Sequence, residues 1–198
     1  MLSNFVVSYF FKIFAGRFDN ILFTEFLFDF VKRDGGWKSF VQSSRKEGHY
    51  TNFFAQLSHH KSICIVPICC HTHWTIIIRK FIGNSWKIFF VDSIEQGSDQ
   101  RFKDWQYLFQ DDDLFSGTWV KVKVFQQNEL ECGARACLHG FCFALSNKKN
   151  GEIINDLSRF KDLSVRSRLM VSTICKEGYW SSPKWLRRAI GNEDIFLD

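Results

Sequence analysis

Four side chains in this sequence have the types and the spacing for thiol chemistry. Cys132 falls between a run of alternating apolar residues, VKVKVFQ (120–126), and a helix-period stripe that begins after Gly133. A thiol at that junction sits at a helix N-terminus, where unpaired backbone N–H groups and the helix dipole favour an anion. Such a setting lowers a thiol's pKa and makes the sulfur a nucleophile. Gly133, with no side chain, lets another chain come close to it. On position alone the competing role is a structural cysteine, the commoner one for a single buried thiol. A nucleophilic thiol also needs a base and a group to orient that base. His73 opens one apolar run (WTIIIRKF, 74–81) and Asp92 closes the next (WKIFFVD, 86–92). Gln126 ends the strand that leads to Cys132. Its amide N–H, with the Cys132 backbone N–H, has the chemistry to hold the oxyanion of an acyl intermediate. A capping or solvent-facing amide is the alternative for Gln126, and Gln127 is an equally polar competitor.

His73 and Asp92 meet only if the chain between them folds as a hairpin. The two runs are joined by Ile82-Gly83-Asn84-Ser85, and a Gly-Asn pair between apolar runs signals a tight turn. With a two-residue turn at Gly83-Asn84, Asp92 lies opposite Thr75, and His73 lies two residues earlier on the same sheet face. Diagonal neighbours of this kind are roughly 7–8 Å apart at the backbone, within reach of long side chains. A register shift of one residue sends the two to opposite faces. Without Cys132 both would read as polar strand-end residues.

Other segments supply the scaffold. ICIVPI (63–68) is a β-branched run, with Pro67 marking a strand end or an edge. The alternation at 120–126 turns Val120, Val122 and Val124 towards a core. Ala134, Cys137, Leu138, Phe141, Cys142 and Leu145 recur with helical period and form one apolar stripe. Asp19-Asn20 can cap a helix through ILFTEFLFDFVK, stopped by Gly35-Gly36. Residues 37–60 read as helical or irregular, and 93–119 as a loop with one short helix. A helix is predicted over about 156–176, and a short last one from Ser182-Pro183 to Gly191. The sum is an α+β fold: a short mixed or antiparallel sheet of four to five strands packed by helices, with Cys132 at a helix N-terminus.

The strings HWTIII (73–78), FFVDS (89–93) and QQNELECGARAC (126–137) resemble the ubiquitin-like-protein proteases. That family comprises the Ulp and sentrin-specific proteases and the adenoviral endopeptidase. The chain order His, Asp, Gln, Cys matches theirs, as do the spacings of Gln126, Asn128, Cys132, Gly133 and Cys137. The resemblance covers residues 60–145 well and the N-terminal part loosely. It implies a permuted papain-like fold and one domain over 1–198, with a helical part (1–60), a catalytic core (61–145) and C-terminal helices (146–198). It implies that His73 takes the thiol proton, Asp92 holds the ring, Cys132 attacks a peptide or isopeptide carbonyl and Gln126 stabilises the oxyanion. It also implies that Trp74 lines a narrow channel for a Gly-Gly segment, so that the partner is a protein substrate carrying a ubiquitin-like modifier. Glu131 stands where the family has Asp, and the family's Trp-Leu-Asn-Asp segment has only Arg17-Phe18-Asp19-Asn20 as a weak counterpart. Both departures bear on substrate more than on chemistry.

Composition narrows the remaining classes. The chain has 198 residues, 45% hydrophobic and 24% charged, which fits one globular domain and excludes disorder. Net charge is +5 with no basic block, so no specific nucleic-acid partner is expected. Seven cysteines without a framework pattern point to a reducing, intracellular compartment, cytoplasm or nucleus. The Phe-rich N-terminus lacks a basic leader region, and Lys12, Arg17, Asp19, Glu25 and Asp29 interrupt residues 5–31, so no secretory signal or transmembrane segment is expected. Cys69, Cys70, His71 and His73 lie together, but adjacent cysteines suit a tetrahedral zinc site poorly, and no phosphate or dinucleotide fingerprint is present. Neither metal nor cofactor is expected. His49, His59, His60 and His139 read as surface or helix residues. Three other functions fit part of the pattern: maturation of a viral or mobile-element polyprotein, effector-type acetyl transfer, and a catalytically silent binding module. The Gln-x-Asn spacing argues against acetyl transfer, and the filled chemical positions argue against silence.

Overall fold

The computed structural model describes residues 4–18, 21–23, 62–70, 73–109, 115–124, 131–146, 152, 157 and 163–177. Their centre is a five-stranded mixed sheet whose strands lie in chain order. The strands are β1 (Ile21–Phe23), β2 (Ile63–Cys70), β3 (His73–Ile82), β4 (Ser85–Asp92) and β5 (Thr118–Lys123). The inner strands β2, β3 and β4 are antiparallel, while β1 joins β2 and β5 joins β4 in parallel. Among the described residues the sheet is accompanied by helices α1 (Asn4–Arg17), α2 (Ser98–Phe109), α3 (Cys132–Leu145) and α4 (Leu163–Glu177).

Both faces of the sheet are covered. On one face Ile63, Ile65, Ile76, Ile78, Phe89, Val91 and Val122 pack against apolar residues of α1, α3 and α4. On the other, Cys64, Val66, Ile68, Ile77, Ile88 and Phe90 meet Trp105 and Phe109 of α2, with Phe115 beside them. A sheet buried on both sides explains why β2, β3 and β4 read as continuous apolar runs, since each strand sends alternate side chains to a different core. Val122 is buried and Val120 and Val124 are partly buried on the α3 side, as the alternation predicts. β1 reaches only Ile65, so Pro67 lies where β3 is the strand paired with β2 among the described residues.

The hairpin register is the predicted one: Ile82 pairs with Ser85, and Thr75 with Asp92. Gly83 and Asn84 both take positive φ, 58° and 64°, as a tight two-residue turn with right-handed strand twist demands. α3 is buried along its whole length, so the apolar stripe marks only its sheet-facing side. Lys80 of β3 fixes the far end of this helix. Its Nζ donates to the carbonyls of Ser146 (2.7 Å), Ala144 (3.1 Å) and Phe143 (3.4 Å). A cation there satisfies carbonyls left open by the helix end and complements its dipole.

Three expectations need correction or extension. Residues Ile21–Phe23, expected to begin a helix, are strand β1 in parallel register with Ile63–Ile65. Three β-compatible residues gain a ladder from β2, and that non-local pairing overrides the local helical pattern. A helix not expected from the sequence is described at Asn4–Arg17, and Phe10 and Phe11 of the Phe-rich arm are fully buried. The segment 93–119 contains the twelve-residue helix α2 rather than being mainly loop. The helix predicted over 156–176 is described at Leu163–Glu177. The expectations for 24–60 and 182–191 lie outside the described residues.

α3 packs closely on its neighbours at Gly140, where an added Cβ would lie 2.5 Å from Ile76 Cδ1 and 2.7 Å from the Phe11 ring. Gly140→Ala gains about 1 kcal/mol of helix propensity. It also overpacks a fully buried contact, which costs about 1–3 kcal/mol. The second effect should win, so the variant is expected to unfold at lower denaturant with an unchanged m-value.

Candidate active site

His73 is the first residue of β3 and Asp92 the last of β4, so the hairpin carries both to the same end of the sheet. His73 Nε2 lies 2.7 Å from Asp92 Oδ1. The Asp92 carboxyl is held below its ordinary range: burial pushes it up, but the bonds from His73 and the Ile94 N–H, and the charges of His73 and Arg101, more than offset that. Asp92 is therefore an ionised acceptor, and the proton between the two belongs to Nε2. The other ring nitrogen, Nδ1, is buried.

Cys132 reaches this end of the sheet from the opposite face, as the first residue of α3. Glu131 occupies the N-cap of the helix and makes no side-chain capping hydrogen bond. The thiol thus stands where helical N–H groups lack an intrahelical partner. Burial pushes the thiol pKa up, but interaction with His73 and the Trp74 and Gly133 N–H groups brings it below the ordinary value. The imidazole responds in the complementary sense. Burial pulls it down, while Asp92 and Cys132 carry it above the ordinary histidine value. Sulfur and ring stabilise each other's charged form, the arrangement of a thiolate–imidazolium pair. Cys137 and Cys142 serve as contrast: both are fully buried on the apolar stripe, and burial raises both thiols.

Asp92 has a further partner that the sequence motifs do not contain. Arg101 of α2 places Nε and Nη2 at 2.8 and 2.7 Å from Asp92 Oδ2, and Nη2 also donates to the Ile94 carbonyl at 2.9 Å. With the Ile94 N–H at 3.0 Å from Oδ1, both carboxylate oxygens are engaged and the side chain is 1% exposed. The available signal was the stripe Phe102, Trp105, Phe109, whose helical spacing places Arg101 on the rim of a helix packed against β4.

Trp74, expected to line a substrate channel, is 1% exposed and packs in the α3-side core. Its main chain touches the site through the N–H directed at Cys132. Gln126 and Asn128 lie outside the described residues. His139, expected at the surface or on a helix, is on α3 but buried, and burial and the Arg135 charge press it down to about 3, so it is neutral. Among the described residues no group of three His, Cys, Asp or Glu side chains is placed to hold a metal ion, and no helix is long and apolar enough to cross a membrane.

The same architecture recurs in solved structures. The SUMO protease Ulp1 with its catalytic cysteine oxidised to a sulfenic acid aligns with TM-score 0.57 and 15% identity, over 88% of this chain and 76% of that one. The chain has the fold of the Ulp1-type cysteine proteases. The Rickettsia bellii effector protein RickCE aligns over 95% of this chain and 97% of its own, with TM-score 0.55 and 12% identity. A structure described as the de-sumoylating protease gives TM-score 0.51 at 14% identity, over 98% of this chain and 86% of its own. No family model and no curated protein matches the sequence. At these identities the Ulp1-type likeness is one of fold, and the chemistry rests on this chain's own residues.

Proposed function

We propose that this chain is a cysteine protease that hydrolyses a peptide or isopeptide bond after a Gly-Gly-type segment, releasing or maturing a ubiquitin-like modifier. The supporting observation is the line of interaction from Asp92 through His73 to Cys132, with the thiol lowered and the imidazole raised. In this reading His73 Nδ1 takes the thiol proton, and Asp92 holds the ring with its proton on Nε2 and stabilises the imidazolium. The thiolate attacks the carbonyl carbon, forming a C–S bond. The tetrahedral oxyanion is held by the Cys132 N–H at the open helix start and by Gln126, each such donor worth about 3 kcal/mol. Collapse expels the amine, which takes its proton from His73. Water, deprotonated by the same ring, then cleaves the thioester. The whole chain acts as one domain, and Trp74 backs the channel by fixing the N–H that holds the sulfur.

Cys132 is 2% exposed. The His73 side chain, 15% exposed, is the more open member of the pair. Ulp1 and the de-sumoylating protease are named for action on SUMO, which supports the choice of a ubiquitin-like modifier as substrate.

Ubiquitin and ubiquitin-like modifiers carrying a C-terminal electrophile test the proposal directly. At least one is expected to form a covalent adduct that is absent in Cys132→Ala. If none does while Cys132 still reacts rapidly with iodoacetamide, the chemistry stands and the modifier assignment falls.

A further inference from the structure

We propose that Arg101 is a positioning residue for the catalytic pair, locking the Asp92 carboxylate in place from α2 and biasing the charge state of His73 and Cys132. This rests on the protease reading and adds a residue to it. The guanidinium spans two groups at once: Nε and Nη2 on Asp92 Oδ2, and Nη2 on the Ile94 carbonyl. The Ile94 N–H binds the other carboxylate oxygen, so Asp92 and the backbone after β4 are tied into one unit. With both oxygens held, Oδ1 keeps its line to His73 Nε2 without sampling other rotamers.

The preceding turn is built around this contact. Gly97 has φ +72°, and a Cβ there would lie 3.1 Å from Arg101 Nη1. The same glycine accepts the Arg101 backbone N–H at 3.0 Å. A side chain at 97 would be strained and would crowd the guanidinium. Lysine cannot replace the arrangement, because one ammonium on a flexible stem lacks the planar fork that reaches carboxylate and carbonyl together.

Arg101 also sets a charge balance. Among the described residues, Asp92 on β4 acts on His73, His73 and Cys132 act on each other, and Arg101 on α2 acts on Asp92. Glu131, beside Cys132 in the chain, acts on the Arg135 side chain. The Arg101 cation draws on the same carboxylate that stabilises the imidazolium, and it favours a nearby thiolate. Removing it should therefore raise both titrations: the thiolate forms at higher pH, and the imidazolium keeps its proton to higher pH.

The test is the pH dependence of iodoacetamide alkylation at Cys132, followed by mass spectrometry of its peptide in wild type, Arg101→Met and Arg101→Lys. Arg101→Met is expected to move both limbs to higher pH by about half a unit or more and to lower the plateau several-fold. Arg101→Lys should return the limbs towards wild type, because the charge remains, but not the plateau. Thermal melts verify that the variants are folded. A merely structural role would lower the melting temperature and leave the limbs in place, and that result overturns the inference. If wild-type Cys132 itself alkylates no faster than a free thiol at pH 6, the protease reading fails first. A normal wild-type profile with unmoved limbs in Arg101→Met rejects the role of Arg101 alone.

Discussion

His73→Ala should abolish rapid alkylation of Cys132 near pH 6 and lower kcat/KM on any cleavable substrate by about 10²–10⁴-fold. The direction follows from the balance at the sulfur. Burial alone pushes the thiol up, and the His73 interaction is the largest effect opposing it. Without the imidazole, the Trp74 and Gly133 N–H groups are left against burial, and the thiol should return to or above its ordinary range. An ordinary thiol, with pKa about 8.5, is well under 1% thiolate at pH 6. The wild-type thiolate exists in a window. Below the lowered Cys132 pKa the sulfur is protonated, and above the raised His73 pKa the imidazolium is lost and only an ordinary thiolate remains. The alkylation rate of wild type should therefore plateau between the two titrations, whereas His73→Ala should show one rise in the alkaline range. Since intrinsic nucleophilicity falls with pKa, the loss at pH 6 should be smaller than the thiolate fraction alone suggests, on the order of 10-fold to 10²-fold. An unchanged rate at pH 6 would mean that the ring does not activate the sulfur.

The hairpin was legible because its determinants are local. Gly83-Asn84 fixes the turn, the turn fixes the register, and the register fixes that Thr75 faces Asp92. The His73–Asp92 bond then follows from two residues on one face. Cys132 was legible for a related reason: strand, glycine and helix stripe place it at a helix start whatever the helix packs on. β1 was not legible, because Ile21–Phe23 is strand only by virtue of Ile63–Ile65, 42 residues later in the chain. Arg101 was hidden differently. It belongs to no motif, and its bond to Asp92 exists because Phe102, Trp105 and Phe109 dock α2 against the second face of the sheet. The motif marks Trp74 as the residue after His73; that its indole packs in the α3-side core follows from the covering of that face of the sheet.

Asp92→Asn should lower kcat/KM by about 10²–10³-fold and move the alkaline limb of the pH profile towards acid. The amide must choose which carboxylate position its NH₂ occupies. At the Oδ1 position it would face two donors, the Ile94 N–H and His73 Nε2–H. The ring would have to move its proton to Nδ1, where it could no longer accept the thiol proton. At the Oδ2 position the NH₂ would instead face the Arg101 guanidinium. Arg101, 25% exposed, can swing into water, whereas the Ile94 N–H is fixed backbone. The second orientation is therefore the lower in energy. The amide oxygen keeps Nε2–H, the tautomer survives, and the negative charge is lost. An opposite charge at this range is worth about 1–3 pKa units, so His73 should lose its imidazolium at lower pH by that order. The acid limb should rise, because a weaker imidazolium stabilises the thiolate less. The active window thus narrows from both sides, unlike Arg101→Met, where both limbs move the same way. Measuring kcat/KM across pH for Asp92→Asn separates the cases. A uniform drop with unmoved limbs would point to the wrong tautomer, and a narrowed window to loss of charge.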